Sequence, residues 1–98
     1  MTDFELGQVV ATPGCLAVLE ESGQTPLEFL RRHSGNDWGE CCKGDVAANN
    51  SALSDPRDGG RLFSVYRTSA GVKLWVITEA VGPDGKREST TLLLPTEY

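Results

Sequence analysis

The side chains best suited to chemistry gather in one stretch, His33 to Glu40, which holds the only histidine, the carboxylates of Asp37 and Glu40, and the indole of Trp38. Imidazole changes charge near neutral pH, so a histidine with two carboxylates in reach is a minimal set for proton transfer. Further along, Arg61, Arg67 and Lys73 form a phosphate-facing strip with Tyr66 beside it for stacking. A small RNA-cleaving enzyme would use such a surface, with His33 or Glu40 as acid and base. Each feature also has a plainer reading. His33 at a helix end suits a solvent-facing histidine beside the negative pole of the helix dipole, Trp38 suits a plug between helices, and strand Lys and Arg suppress edge pairing. The candidate binding residues are therefore His33, Asp37, Trp38, Glu40, Arg61 and Tyr66, with no residue assigned as catalytic.

What is missing narrows the chemistry. The chain has no G-x-S-x-G, H-E-x-x-H, P-loop or G-x-G-x-x-G pattern. Cys15, Cys41 and Cys42 are odd in number and two are adjacent, which suits neither a disulfide framework nor the C-x₂-C spacing of a zinc site. Reduced thiols, no metal and no cofactor are expected, and Glu40 just before the cysteine pair disfavours a thiolate. The net charge is −5, and residues 1–55 carry three Lys/Arg against nine Asp/Glu, whereas residues 56–98 carry six against five. Phosphate binding relies on clustered cations, so an acidic first half argues against a nucleic-acid partner. No apolar run approaches the roughly 20 residues that span a bilayer, and the opening M-T-D-F-E-L-G-Q-V-V lacks the basic and apolar regions of a signal peptide. A cytoplasmic protein without membrane contact is the expectation.

The elements that must position these residues are legible from punctuation and period. Phe4, Leu6, Val9 and Val10 make an N-terminal arm or edge strand that ends at Thr12-Pro13. Thr12 as N-cap, Pro13 as first helical residue and Gly23 as terminator predict a helix over 13–22, with Cys15, Leu16 and Leu19 facing inward. Thr25-Pro26-Leu27-Glu28 predicts a capping box for a second helix ending at Gly35, with Leu27, Phe29 and Leu30 inward. A third helix is expected over 44–53, although Gly44, Asn49, Asn50 and Ser51 have poor helix propensity, so it must rely on packing. Ser54-Asp55-Pro56 and Asp58-Gly59-Gly60 then end the helical half.

From Arg61 the period becomes two. Runs at 61–67, 72–79 and 89–94, joined by Thr68-Ser69-Ala70-Gly71 and Gly82-Pro83-Asp84-Gly85, predict an antiparallel meander. The expected fold is one α+β domain over 1–98: two to three short helices on a three-stranded antiparallel β-meander. Both faces of the sheet carry large apolar groups, Leu62 and Tyr66 on one and Phe63 and Val65 on the other. Helices cover one face, and the other needs the N-terminal arm, a second copy or a protein partner.

The order G-Q-V-V-A-T-P-G, E-F-L-R-R-H, G-N-D-W-G-E, G-G-R-L-F-S-V-Y-R, K-L-W-V-I-T-E-A and T-T-L-L-L-P-T-E-Y resembles, over nearly the whole chain, a family of small bacterial proteins labelled plasmid-related or mobile-element hypothetical proteins. The resemblance implies a mobile-element setting and carries no activity, ligand or site residue with it. The chain departs from the pattern at Cys41-Cys42-Lys43-Gly44 and in the Gly82–Arg87 turn. Two functions follow as expectations: a non-catalytic binding or accessory protein, and, in competition with it, a small RNA-cleaving enzyme or toxin-like hydrolase.

Overall fold

The computed structural model describes residues 4–55 and 57–98, so Pro56 of the expected helix stop lies outside the described residues. In chain order the elements are β1 (Gln8–Ala11), α1 (Pro13–Ser22), α2 (Pro26–Ser34), α3 (Lys43–Ser54), β2 (Leu62–Arg67), β3 (Lys73–Thr78), β4 (Ser89–Leu93) and a 3₁₀ turn, Pro95–Glu97.

The fold is α+β as expected, but the sheet is not a three-stranded antiparallel meander. It has four strands in the order β1-β4-β3-β2, and β1 runs parallel to β4. The meander β2-β3-β4 leaves one side of β4 open, and the N-terminal stretch takes it, with Gln8 N–H donating to Glu88 C=O and Thr12 N–H to Leu92 C=O, both at 3.0 Å. Three helices lie between β1 and β2 in sequence, so no tight hairpin forces β1 to run antiparallel. Gly7 makes the approach feasible: at φ 64° a Cβ there would sit 2.4 Å from the Glu88 carbonyl oxygen.

Helix ends follow local chemistry in α1 and depart from it in α2. Thr12 accepts a hydrogen bond from Cys15 N–H at 3.3 Å, Pro13 opens the helix, and Gly23 closes it at φ 70°. Cys15 and Leu19 are buried, but Leu16 is 46% exposed, against expectation, because the inward stripe of this short helix is only two residues wide. In α2 the predicted capping box does not form. Thr25 makes no side-chain cap bond, and the Glu28 carboxylate accepts from Gln24 Nε2 at 2.7 Å instead. Leu27 is 53% exposed, while Phe29, Leu30, His33 and Ser34 are buried. The buried face is thus 29/30/33/34, and treating His33 as polar hides it.

The helix-facing side of the sheet is closed to solvent, with Leu62, Ser64, Tyr66, Leu74, Val76, Thr78, Thr90 and Leu92 all buried. Cys15 and Leu19 of α1 and Phe29 and Leu30 of α2 pack on Tyr66, Leu74, Val76 and Leu92. A second cluster joins Trp38, Ala52 and Leu62 with half-buried Phe4, Cys41, Val46 and Leu53. On the outer side, the 3₁₀ turn packs back against β3. The Glu97 carboxylate there accepts from the Thr12 hydroxyl, Gly14 N–H and Leu94 N–H, which holds it below the usual carboxylate range and ties the turn to the start of α1.

Capping geometry separates two threonines that look alike in sequence. Thr12→Ala is expected to lower unfolding stability by about 1 kcal/mol, and Thr25→Ala to change it by less than about 0.5 kcal/mol, as read from paired denaturant titrations.

Candidate functional site

His33 does not end α2 in solvent. It has no exposed surface, and each ring nitrogen has a hydroxyl partner from the sheet: Nδ1 lies 2.6 Å from Ser64 Oγ and Nε2 2.9 Å from Thr78 Oγ1. The chain continues from Thr78 Oγ1 to Thr90 Oγ1 at 2.7 Å and from Thr90 to the Leu6 carbonyl at 2.7 Å. Counting protons orients every bond. A carbonyl only accepts, so Thr90 donates to Leu6, Thr78 donates to Thr90, and His33 donates from Nε2 to Thr78. Burial disfavours a second ring proton, so Nδ1 accepts from the Ser64 hydroxyl. The imidazole is neutral, and burial lowers its pKa from 6.5 to about 4. Phe4 and Trp38 meet the ring edge to face, with centroids 5.4 and 5.6 Å away.

A serine hydroxyl on an imidazole nitrogen is the contact that activates a nucleophile in hydrolases. Here Ser64 is as fully buried as His33, so its oxygen presents no surface to a substrate. The pair holds α2 to the sheet.

Asp37 and Glu40 sit at the surface, each engaged by an arginine. Arg32 Nε meets Asp37 Oδ2 at 2.7 Å, and Arg67 Nε meets Glu40 Oε1 at 2.9 Å. Tyr66 points inward beneath them, donates from its hydroxyl to the Asp37 carbonyl at 2.6 Å, and carries the Arg32 guanidinium 4.5 Å above its ring. Burial pushes its phenol pKa well up. Trp38 is buried, stacked on Phe4, and donates from Nε1 to Asn50 Oδ1 at 3.2 Å. The loop therefore does meet the 61–67 strand, as an edge cover. Val65 N–H donates to Trp38 C=O at 3.1 Å and Glu40 N–H to Val65 C=O at 2.7 Å. Gly39 is required between them, since a Cβ at its φ of 70° would lie 2.0 Å from the Val65 carbonyl oxygen.

Arg61 is on the other side of the sheet. Its Nη1 donates to the Tyr98 hydroxyl at 2.9 Å, and its guanidinium carbon lies 5.6 Å from the centre of that ring. The six candidates thus fall into a buried set (His33, Trp38, Tyr66), a surface pair (Asp37, Glu40) and a lone outer-face cation, with no shared cleft.

Arg61 borders a feature that residue-by-residue reading missed. A groove of about 330 Å³ lies between α3 and the outer face, lined by Asp45 and Ala48 on one wall, Phe63, Trp75 and Ile77 on the floor, and Arg61 and Tyr98 on the other wall. Trp75 is held edge to face by Phe63 at 5.1 Å and by Tyr98 at 5.5 Å. The signal for it was the alternation that set Phe63 and Trp75 on the face away from the helices; Tyr98 left no signal.

Elsewhere, burial first and a carboxylate second raise the Cys15 and Cys41 pKa values to about 11, which keeps both thiols protonated. Among the described residues no three His, Cys, Asp or Glu side chains converge to hold a metal ion, and no helix is long and apolar enough to cross a membrane. Compared with protein-family models, curated proteins and solved structures, the chain matches none.

The buried imidazole makes stability depend on acid in a defined window. Unfolded His33 takes up a proton near pH 6.5 and folded His33 only near 4, so the unfolded state binds more protons between them. Stability is expected to fall by about 3 kcal/mol as pH drops through that window. His33→Gln should be less stable at pH 7 and lose most of that slope in denaturant titrations across the same range. Trp38→Ala is expected to lose about 3 kcal/mol or more, measured by the same method at pH 7.

Proposed function

We propose that the chain is a non-catalytic binding or accessory protein that recognises another protein through the outer face of its sheet, with the 61–63, 75–77 and 98 groove as its centre. The mobile-element setting rests on the family resemblance. The observation that carries the reading is the groove: Phe63 and Trp75 on its floor and Tyr98 and Arg61 on its wall, with Asp45 opposite. Tyr, Trp and Arg supply most of the binding energy where they sit together in protein interfaces, because they bury large area at low conformational cost.

The same face argues against a nucleic-acid ligand. Of its three cations, Arg67 is paired with Glu40 and Arg61 with Tyr98. The aromatic rings meet edge to face at 76° and 69°, so they do not offer a row of open faces for bases. The competing RNA-cleaving reading has weaker support, because it needs His33, Glu40, Arg61 and Tyr66 in one cleft and each has a separate partner.

The test is capture from the native cell followed by measured affinity for the purified partner. Arg61→Ala and Trp75→Ala are each expected to weaken binding about tenfold or more, while His33→Gln, away from the face, leaves affinity unchanged at pH 7. Equal affinity across all three variants would sink the reading. Cleavage of single-stranded RNA that Glu40→Gln abolishes would establish the enzyme instead.

A further inference from the structure

The two edges of the sheet are treated in opposite ways. At β2 every outward backbone group of Phe63 and Val65 is taken up. The Asn49 side-chain amide pairs with Phe63 as a strand would, donating to its C=O at 2.7 Å and accepting from its N–H at 3.0 Å. The 38–40 loop does the same for Val65. At the other edge, Gln8, Val10 and Thr12 direct their backbone groups to β4, so Val9 and Ala11, out of phase with them, direct theirs away from the sheet. No strand, helix or loop among the described residues receives these groups.

Proteins blunt open edges with lysine, proline, a bulge or a covering segment. Among the described residues β1 has none of these: its sequence is Gln-Val-Val-Ala, its ladder to β4 is regular, and Val9 and Val10 are 43% and 44% exposed.

We infer that β1 is a homodimer edge: a second copy of this chain adds its own β1 antiparallel, about a two-fold axis at Val10, to make one eight-stranded sheet. Geometry and charge both select a second copy. With the axis at Val10, Val9 of one chain stands opposite Ala11 of the other, and these are the two residues whose backbone groups point outward. Each such pair exchanges two hydrogen bonds, so the contact closes with four and leaves no outward group of β1 over. The two Val10 side chains then meet at the close, non-hydrogen-bonded position. The chain carries −5, so two copies repel in general, but no charged residue lies between Glu5 and Glu20. β1 itself is thus uncharged, and the Glu97 carboxylate that reaches its end is held by Thr12 and Gly14, so equally acidic chains approach here at low cost. The inference is independent of the outer-face reading, since β1 lies at the far edge from the groove.

Sedimentation equilibrium of the full chain over about 10 µM to 1 mM tests it. The wild type is expected to move from monomer to dimer across that range. Val9→Pro removes an N–H that the monomer does not use, so the β4 ladder survives while the dimer loses two of its four bonds. Val10→Lys sets like charges face to face across the axis. Each variant should weaken dimerisation at least tenfold while keeping the wild-type circular dichroism at low concentration. A wild type that stays monomeric to 1 mM overturns the inference, as does a dimer that Val10→Lys leaves intact.

Discussion

A single buried imidazole joins parts of this molecule that lie far apart in sequence. His33 links α2 to β2 through Ser64 and to β3 through Thr78, and Thr78 passes the chain to β4 and the N-terminal segment through Thr90 and Leu6. Burying one polar side chain without partners costs on the order of several kcal/mol, so five groups share one core only if every proton has an acceptor. Here the proton count closes in one direction only. Burial keeps the histidine neutral, the hydroxyls come from three adjacent strands with Thr78 and Thr90 in register, and Phe4 and Trp38 pack against the ring. The fold is thereby specified by polar registry as well as by apolar burial.

The same economy governs the residues that lacked an obvious role. Asn49 is a poor helix former, yet its amide is the right size to stand in for a peptide group along β2, and α3 accepts the propensity loss to place it there. Arg87 is buried and donates from Nη1 to the carbonyls of Gly60 and Glu79, at 2.6 and 3.0 Å, joining the loop before β2 to the turn after β3. Desolvation lowers its pKa, with Asp58 opposing. Polar groups thus hold the sheet's ends and one edge, and the outer face keeps the groove with Phe63, Trp75 and Tyr98 in its lining.

The same division separates the members of the histidine-carboxylate stretch, which do not share a cleft. Catalysis needs titratable groups that share a cleft with a substrate; here one is sealed in the core and the others are neutralised on the surface by Arg32 and Arg67. The outer face carries a groove lined by Phe63, Trp75 and Tyr98, with Asp45 and Arg61 giving it charges of both signs.

By itself the sequence determined the elements and their two-sidedness. Pro13, Pro26, Gly23 and Gly35 set helix ends, and period-two alternation set Leu62 and Tyr66 against Phe63 and Val65, because caps and side-chain direction act within a few residues. Only the tertiary structure decided the parallel β1–β4 pairing, the burial of His33, the strand-like pairing of Asn49 and the Arg61–Tyr98 contact. These join residues separated by between 14 and 81 positions, with Asn49–Phe63 the nearest and the β1–β4 partners the farthest. At such separations a partner leaves no spacing to read. Whether a histidine is a catalyst or a core hydrogen-bonder depends on which hydroxyls the folded sheet brings to its two nitrogens.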